Sequence, residues 1–204
     1  MNKEFISPEM LRDEALKLAY QMHTVDHFIP DIIYVSLRGG AYMGNVFSEY
    51  YKLIRKQAGD RPVFYAAVVA RSYENMKMES EVRIDGWTYS PEYLRTGDKI
   101  LIVDDIFDTG KTVNALVNVM LSKGIPREDI KVAVFDYKVP LYKETQRLPI
   151  QPDYYCRQHV LNSPDEEAWI HYMNHEFIGL TSEEIDQQYT DPEVRRILHE
   201  VRCD

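Results

Sequence analysis

Apolar positions along the chain fall into two alternating rhythms. Met10, Leu11, Ala15, Leu18, Ala19 and Met22 form a one-sided helical stripe behind Ser7-Pro8-Glu9, with Ser7 as N-cap and Pro8 at the first helical position. Asp31 to Leu37 reads as a strand, Tyr42 to Ile54 as a helix, and Pro62 to Ala70 as a further strand through Val63, Phe64, Tyr65, Val68 and Val69. Ile100-Leu101-Ile102-Val103 is a continuous apolar run, the pattern of a strand buried on both faces of a parallel sheet. It leads through a polar loop into a helix over 113–122 that stops before Lys123-Gly124-Ile125-Pro126, and Ile130 to Asp136 supplies the last core strand. Strands alternating with helices at this spacing predict an α/β fold built on a doubly wound parallel sheet.

Two segments break the rhythm. Arg71 to Gly97 mixes charges, Tyr and Met without a sustained period, and a run of that length in a compact domain reads as a mobile loop or lid. A hairpin through Val82-Arg83-Ile84 and Trp87-Thr88-Tyr89 is the alternative, and a lid can be a hairpin. From Pro149 onward the pattern leaves the sheet again, with Pro152 to Tyr155 and Glu167 to Tyr172 expected as short strands outside the core. Thr181-Ser182-Glu183-Glu184 is a capping signal, and Asp191-Pro192-Glu193 opens an amphipathic helix bearing Val194, Ile197, Leu198 and Val201. The expected organisation is a core over 1–148 with its loop at about 71–97, a small cover over 149–180 and a helical tail over 181–204 that packs on the core or on a second subunit.

The chemistry gathers where the central strand ends. Asp104 and Asp105 sit at its carboxyl end, and Asp108-Thr109-Gly110-Lys111-Thr112 enters the next helix, the place where open parallel sheets bind ligands. Orphan amides, the helix dipole and the hydroxyls of Thr109 and Thr112 make a seat for a phosphate monoester. A triphosphate P-loop is excluded, because that motif needs a glycine five positions before Gly110 and position 105 is Asp. The twin carboxylates would repel a polyphosphate chain but accept hydrogen bonds from the cis hydroxyls of a ribose, so a sugar 5-phosphate fits better. Arg38-Gly39-Gly40, a strand-to-helix turn, is a second anion seat: Arg38 brings a five-donor fork, and the glycines let backbone approach a bulky oxyanion.

Val103 to Thr112 resembles the phosphoribosyl pyrophosphate loop of type I phosphoribosyltransferases, in the form found in the 6-oxopurine branch, and the resemblance covers about residues 30 to 176. Ser36-Leu37-Arg38-Gly39-Gly40 resembles the pyrophosphate loop of that family, which implies a cis peptide bond at Leu37-Arg38 and a catalytic contact from Arg38. Arg71-Ser72-Tyr73 resembles the start of the family's catalytic loop, in which Ser72 and Tyr73 would close over the diphosphate. Lys138, just past the last core strand, matches a lysine that donates to the purine O6. Residues 149–180 resemble the hood over the base: Trp169 would stack on the purine and Ile170 would offer backbone groups, although a Trp filling the hood's own core remains open.

Glu176, seven residues after Trp169, matches the metal-contacting acid of hypoxanthine-guanine enzymes. Trp169-Ile170 itself is closer to xanthine-guanine and archaeal-type enzymes, which place the acid where this chain has His175. A basic residue expected six positions beyond the acid is missing, since position 182 is Ser. The resemblance implies Mg²⁺ at Asp104, Asp105 and Glu176, Asp108 as general base on N7, phosphoribosyl pyrophosphate and a purine base as substrates, and a homodimer or homotetramer. It favours hypoxanthine or guanine salvage. A xanthine-preferring enzyme is one alternative, and a phosphoribosyl-pyrophosphate-sensing regulator is the other. An orotate or pyrimidine transferase suits Lys138 and Trp169 poorly.

Composition adds limits. The 204 residues are enough to bury about 70% of the unfolded surface. A net charge of −9 argues against a nucleic-acid surface, so bound phosphate must be held by local donors. Cys156 and Cys203 have no paired spacing, and the six histidines show no ligand spacing, so neither disulfides nor zinc are expected. With no signal-peptide pattern and no apolar run of about 18 residues, the expectation is a cytoplasmic protein without membrane contact.

Overall fold

The computed structural model describes residues 3–74 and 80–202, and for 71–74, 80–81 and 144–146 the backbone alone. In chain order the elements are β1 (Lys3–Ile6), α1 (Pro8–Thr24), β2 (Ile32–Leu37), α2 (Ala41–Ala58), β3 (Phe64–Glu74), β4 (Ser80–Trp87), β5 (Ile100–Phe107), α3 (Lys111–Ser122), β6 (Ile130–Pro140), β7 (Tyr154–Leu161), β8 (Trp169–Tyr172), α4 (Ser182–Gln188) and α5 (Pro192–Val201). They divide into two compact units, one of residues 11–167 and one of residues 3–10 with 168–202.

The larger unit is a six-stranded sheet in the order β4-β3-β2-β5-β6-β7, parallel except for β4. Central β5 is fully buried from Ile100 to Val103, as its apolar run requires. Strand alternation sends Tyr34, Ile102 and Val132 into one apolar layer with Val113, Leu116, Val117 and Met120 of α3. Val35 points the other way, against Gly44 of α2, so helices cover both faces and the doubly wound expectation holds. Ser7 caps α1 through its hydroxyl, which accepts from the Met10 amide at 3.1 Å. Among the described residues no helix is long and apolar enough to cross a membrane.

Several boundaries differ from expectation, each for a physical reason. The strand pair after residue 63 is β3 with β4, in antiparallel register from Val68↔Trp87 to Glu74↔Ser80, so Val82, Arg83, Ile84 and Trp87 lie in one strand and are not the two arms of a hairpin, while positions 75–79 of the expected loop lie outside the described residues. Backbone pairing along the sheet edge organises this segment where side-chain periodicity gave no signal. β6 runs on to Pro140, which puts Lys138 within the strand, beside His159 of β7, and not past its end. β7 itself corrects the expectation of a strand outside the core: Tyr154 to Leu161 is the sheet's parallel edge, and β6 is not the last core strand. An edge strand with a polar outer face carries a weak apolar pattern.

The smaller unit holds a two-stranded parallel sheet, β1 with β8, pairing Lys3↔Trp169 through Ile6↔Tyr172. β1 has no signature in the sequence, being too short for a period to register. Leu180, Ile185 and Leu198 form a separate apolar cluster with Phe5 and Tyr189, so the helical tail shares a core with the N-terminal strand. Thr181 and Glu184 make the expected reciprocal capping box on α4, and Asp191 caps α5.

Candidate active site

β5 does not stop at its twin acids but runs on through Asp104 and Asp105 to Phe107, and Asp108 to Gly110 then lead into α3. A cavity of about 200 Å³ is lined by Asp104, Asp105 and Asp108 to Thr112. Gly110 has φ of 74°, a left-handed conformation that suits glycine, and a Cβ there would run into the Phe107 ring. The first amides of α3 therefore open toward the cavity as the orphan donors expected of a phosphate seat.

Asp104 is buried, and its carboxylate accepts from the Asp105 amide at 3.1 Å. Burial first, and the neighbouring Asp105 carboxylate second, push it well above the usual carboxylate range. Two adjacent carboxylates, one of them buried, suit hydroxyl donors or a hard cation, so the donor set fits a ribose and a divalent ion with few protein ligands. A carboxyl whose folded pKa lies above its unfolded value contributes stability at low pH and loses it as pH rises through the raised value. Asp104→Asn, without ligand or divalent metal, therefore unfolds at a higher temperature than wild type at neutral pH, and the gap closes toward pH about 4. A lower melting temperature for the variant at neutral pH would refute the assignment.

The Arg38-Gly39-Gly40 turn lies against the same strand end. Its Leu37-Arg38 peptide bond is cis, as the resemblance implied. The glycines serve a purpose the sequence did not disclose. A Cβ on Gly39 would strike the Asp105 carboxylate, and one on Gly40 would strike the backbone carbonyl of Val103. They let this turn press onto β5 and bring Arg38, exposed on its loop, into the same loop cluster as the twin acids.

A second cavity of about 240 Å³ adjoins the first, sharing Asp108, Thr109 and Lys111 with it. Lys138 reaches into it from β6, largely buried, with its ammonium 3.8 Å from the Asp108 carboxylate. Phe107 packs edge-on against Tyr137 with ring centroids 5.5 Å apart. The Tyr137 hydroxyl donates to Gln151 at 2.6 Å and accepts from Arg147 at 2.6 Å. Lys143, Arg147, Gln151 and Glu167 all line this cavity. Lys143, Arg147 and Gln151 lie in a stretch without periodicity, and Glu167 opens a segment expected as a short strand, so none of the four carried a functional signal in the sequence.

Asn114 was also missed. Buried in the first turn of α3, its amide donates to the carbonyls of Gly110 at 2.9 Å and Ile150 at 2.8 Å, and its oxygen accepts from the Ile150 amide at 3.0 Å. It ties the loop between the cavities to the chain beyond β6. Asn114→Leu strands both backbone groups of Ile150, and at ~1–3 kcal/mol per stranded buried group it lowers stability by about 2–6 kcal/mol, read from the denaturant midpoint.

Ser72 and Tyr73 fall in β3, opposite Val82 and Glu81 of β4, with side chains outside the described residues. Trp169, Ile170 and Glu176 belong to the smaller unit. Trp169 is half exposed, so it does not fill that unit's core, whereas Ile170 is buried. Glu176 accepts from the Tyr172 amide at 3.2 Å and lies 3.5 Å from buried His171, whose pKa is lowered chiefly by burial. Among the described residues, no group of three or more His, Cys, Asp or Glu gathers to hold a metal by protein ligands alone.

Residues 9–166 match the phosphoribosyl transferase domain family. The chain is 26% identical over 156 residues to the Bifunctional protein PyrR of Halalkalibacterium halodurans, covering 76% of this chain and 82% of that one. It is 28% identical over 135 residues to the hypoxanthine/guanine phosphoribosyltransferase of Methanopyrus kandleri, covering 63% and 64%. The fold matches a purine phosphoribosyltransferase from Pyrococcus horikoshii with a TM-score of 0.64 at 20% identity, over 89% of this chain and 99% of that one. With the 108–112 loop, the twin acids and the glycine turn gathered at one sheet end, and a domain match spanning most of its length, the chain belongs to the phosphoribosyl transferase family.

Proposed function

We infer that the protein transfers the 5-phosphoribosyl group of phosphoribosyl pyrophosphate to a 6-oxopurine, giving the nucleoside monophosphate and pyrophosphate. The observation that carries this reading is Asp108: its carboxylate borders both cavities and stands 3.8 Å from the Lys138 ammonium. A base held in the larger cavity with O6 on Lys138 presents N7 toward Asp108, while the phosphate occupies the seat at 109–112. The anomeric C–O bond breaks, the purine nitrogen forms the new bond, and Asp108 takes the proton that the base must lose.

The developing positive sugar and the leaving diphosphate set the remaining tasks. Asp104 and Asp105 accept the ribose hydroxyls and hold the sugar still, and Arg38 neutralises the diphosphate from the adjoining turn. Enzymes of this family work with Mg²⁺ and phosphoribosyl pyrophosphate; here Asp104 and Asp105 would hold the ion, which would supply charge neutralisation on the diphosphate. Ser72 and Tyr73 would cover the diphosphate. Pyrophosphate release with hypoxanthine, guanine, xanthine, uracil and orotate in turn tests the proposal: turnover is expected with 6-oxopurines, and turnover confined to a pyrimidine would overturn it.

The similarity to a relative named as bifunctional favours a second reading, in which the same site senses phosphoribosyl pyrophosphate for a regulatory task. It predicts stabilisation by phosphoribosyl pyrophosphate in thermal unfolding with no pyrophosphate release for any base.

A further inference from the structure

The larger cavity carries more charge than binding an oxopurine through one lysine requires. Lys138, Lys143 and Arg147 line it together with the carboxylates of Asp108 and Glu167. Asp108 belongs to the chemistry, and Arg147 is engaged with Tyr137 and Gln151. Glu167 remains to be explained. Its Oε1 accepts from the Tyr142 hydroxyl and lies 3.5 Å from the Lys143 ammonium, two contacts that hold the carboxylate at the cavity wall. The Tyr142 hydrogen bond, then Lys143 and more distantly Lys138, hold it below the usual carboxylate range against the opposing effect of burial, so it is an ionised acceptor at neutral pH. Both contacts engage Oε1, and a carboxylate offers about four acceptor sites over its two oxygens, so capacity for further N–H donors remains.

Resting on the proposed purine reading, we propose that Glu167 is a specificity-determining residue that selects a 2-amino-6-oxopurine, with Lys138 donating to O6 and the Glu167 carboxylate accepting from N1–H and the 2-amino group. The cavity lining holds both a donor, Lys138, and an acceptor, Glu167, the types complementary to the acceptor and donors on the edge of guanine. Hypoxanthine keeps O6 and N1–H but offers only C–H at position 2. Xanthine places a carbonyl oxygen there, and an oxygen facing a carboxylate is repelled. A built-in repulsive element discriminates more strongly than a missing contact. The ranking that follows is guanine, then hypoxanthine, then xanthine. The cavity, at about 240 Å³, falls somewhat below the ~300–1,000 Å³ of drug-sized sites and suits a single bicyclic base.

The test is steady-state kinetics with the three purines on wild type and Glu167→Gln, with the KM for phosphoribosyl pyrophosphate as the control for an intact sugar-phosphate site. Wild type is expected to have its highest kcat/KM with guanine. The variant is expected to lose about 10- to 100-fold in kcat/KM for guanine, as for a lost hydrogen bond to a charged group, and to gain on xanthine because a carboxamide can donate to its 2-oxygen. An unchanged KM for phosphoribosyl pyrophosphate together with a smaller guanine-to-xanthine ratio supports the assignment. Turnover of all three purines with a ratio that Glu167→Gln leaves unmoved, or with xanthine first in wild type, overturns it while leaving purine transfer intact. Turnover of none of them removes the purine reading and this inference with it.

Discussion

Asp108→Asn lowers turnover by about 10²- to 10⁴-fold and leaves binding of the sugar phosphate nearly unchanged. The size follows from what general-base catalysis contributes when a carboxylate is replaced by a group that cannot take a proton. The split follows from geometry. The proposed phosphate seat uses the amides and hydroxyls of 109–112, with Gly110 in its left-handed conformation, and Asn at 108 replaces none of them. Lys138 loses its carboxylate neighbour at 3.8 Å, so a modest rise in the KM for the base accompanies the fall in kcat. Single-turnover measurement isolates the chemical step. A variant with full turnover would remove Asp108 from the proton-transfer role.

Gly40→Ala is the second large effect, and it acts through the backbone. The added Cβ meets the Val103 carbonyl and lies close to the Asp104 Cα, atoms of the central strand that cannot rotate away. Either the 38–40 turn lifts or β5 shifts, at about 1–3 kcal/mol of overpacking cost. The same shift moves Arg38 relative to the twin acids, and a displacement of about 1 Å at a reacting centre costs about 10²-fold in rate. Gly39→Ala is a telling comparison. Its Cβ meets the Asp105 carboxylate, a side chain, so stability changes less while the KM for phosphoribosyl pyrophosphate rises. Thermal unfolding of both variants, beside kinetics, separates the two outcomes; equal melting temperatures for Gly40→Ala and wild type would contradict this packing argument.

The sequence revealed those parts of the protein whose signal is local. The buried run at 100–103, the acids that end it and the hydroxyl-rich helix entry lie within a dozen positions, so strand, turn and chemistry can be read together. Arg38-Gly39-Gly40 was legible as a loop, but the task of its glycines was not: the partners are the carbonyl of Val103 and the side chain of Asp105, more than sixty residues away in sequence. Elements defined by pairing were harder. β1 finds its partner at the far end of the chain, β7 is an edge strand, and β3 with β4 is organised by backbone hydrogen bonds. Glu167 and Asn114 lay outside any motif, one as part of a polar stretch and the other as an apparently ordinary polar residue in an apolar helix. Their roles rest on neighbours supplied by tertiary structure.

The central claim is that two adjoining cavities with Asp108 at their junction hold a phosphorylated pentose and a purine at once. A crystal structure with guanosine monophosphate tests it most directly. The account predicts phosphate on the amides of 109–112, ribose hydroxyls on Asp104 and Asp105, O6 on Lys138 and N7 facing Asp108. A nucleotide bound elsewhere, with the 108–112 loop empty, would contradict it.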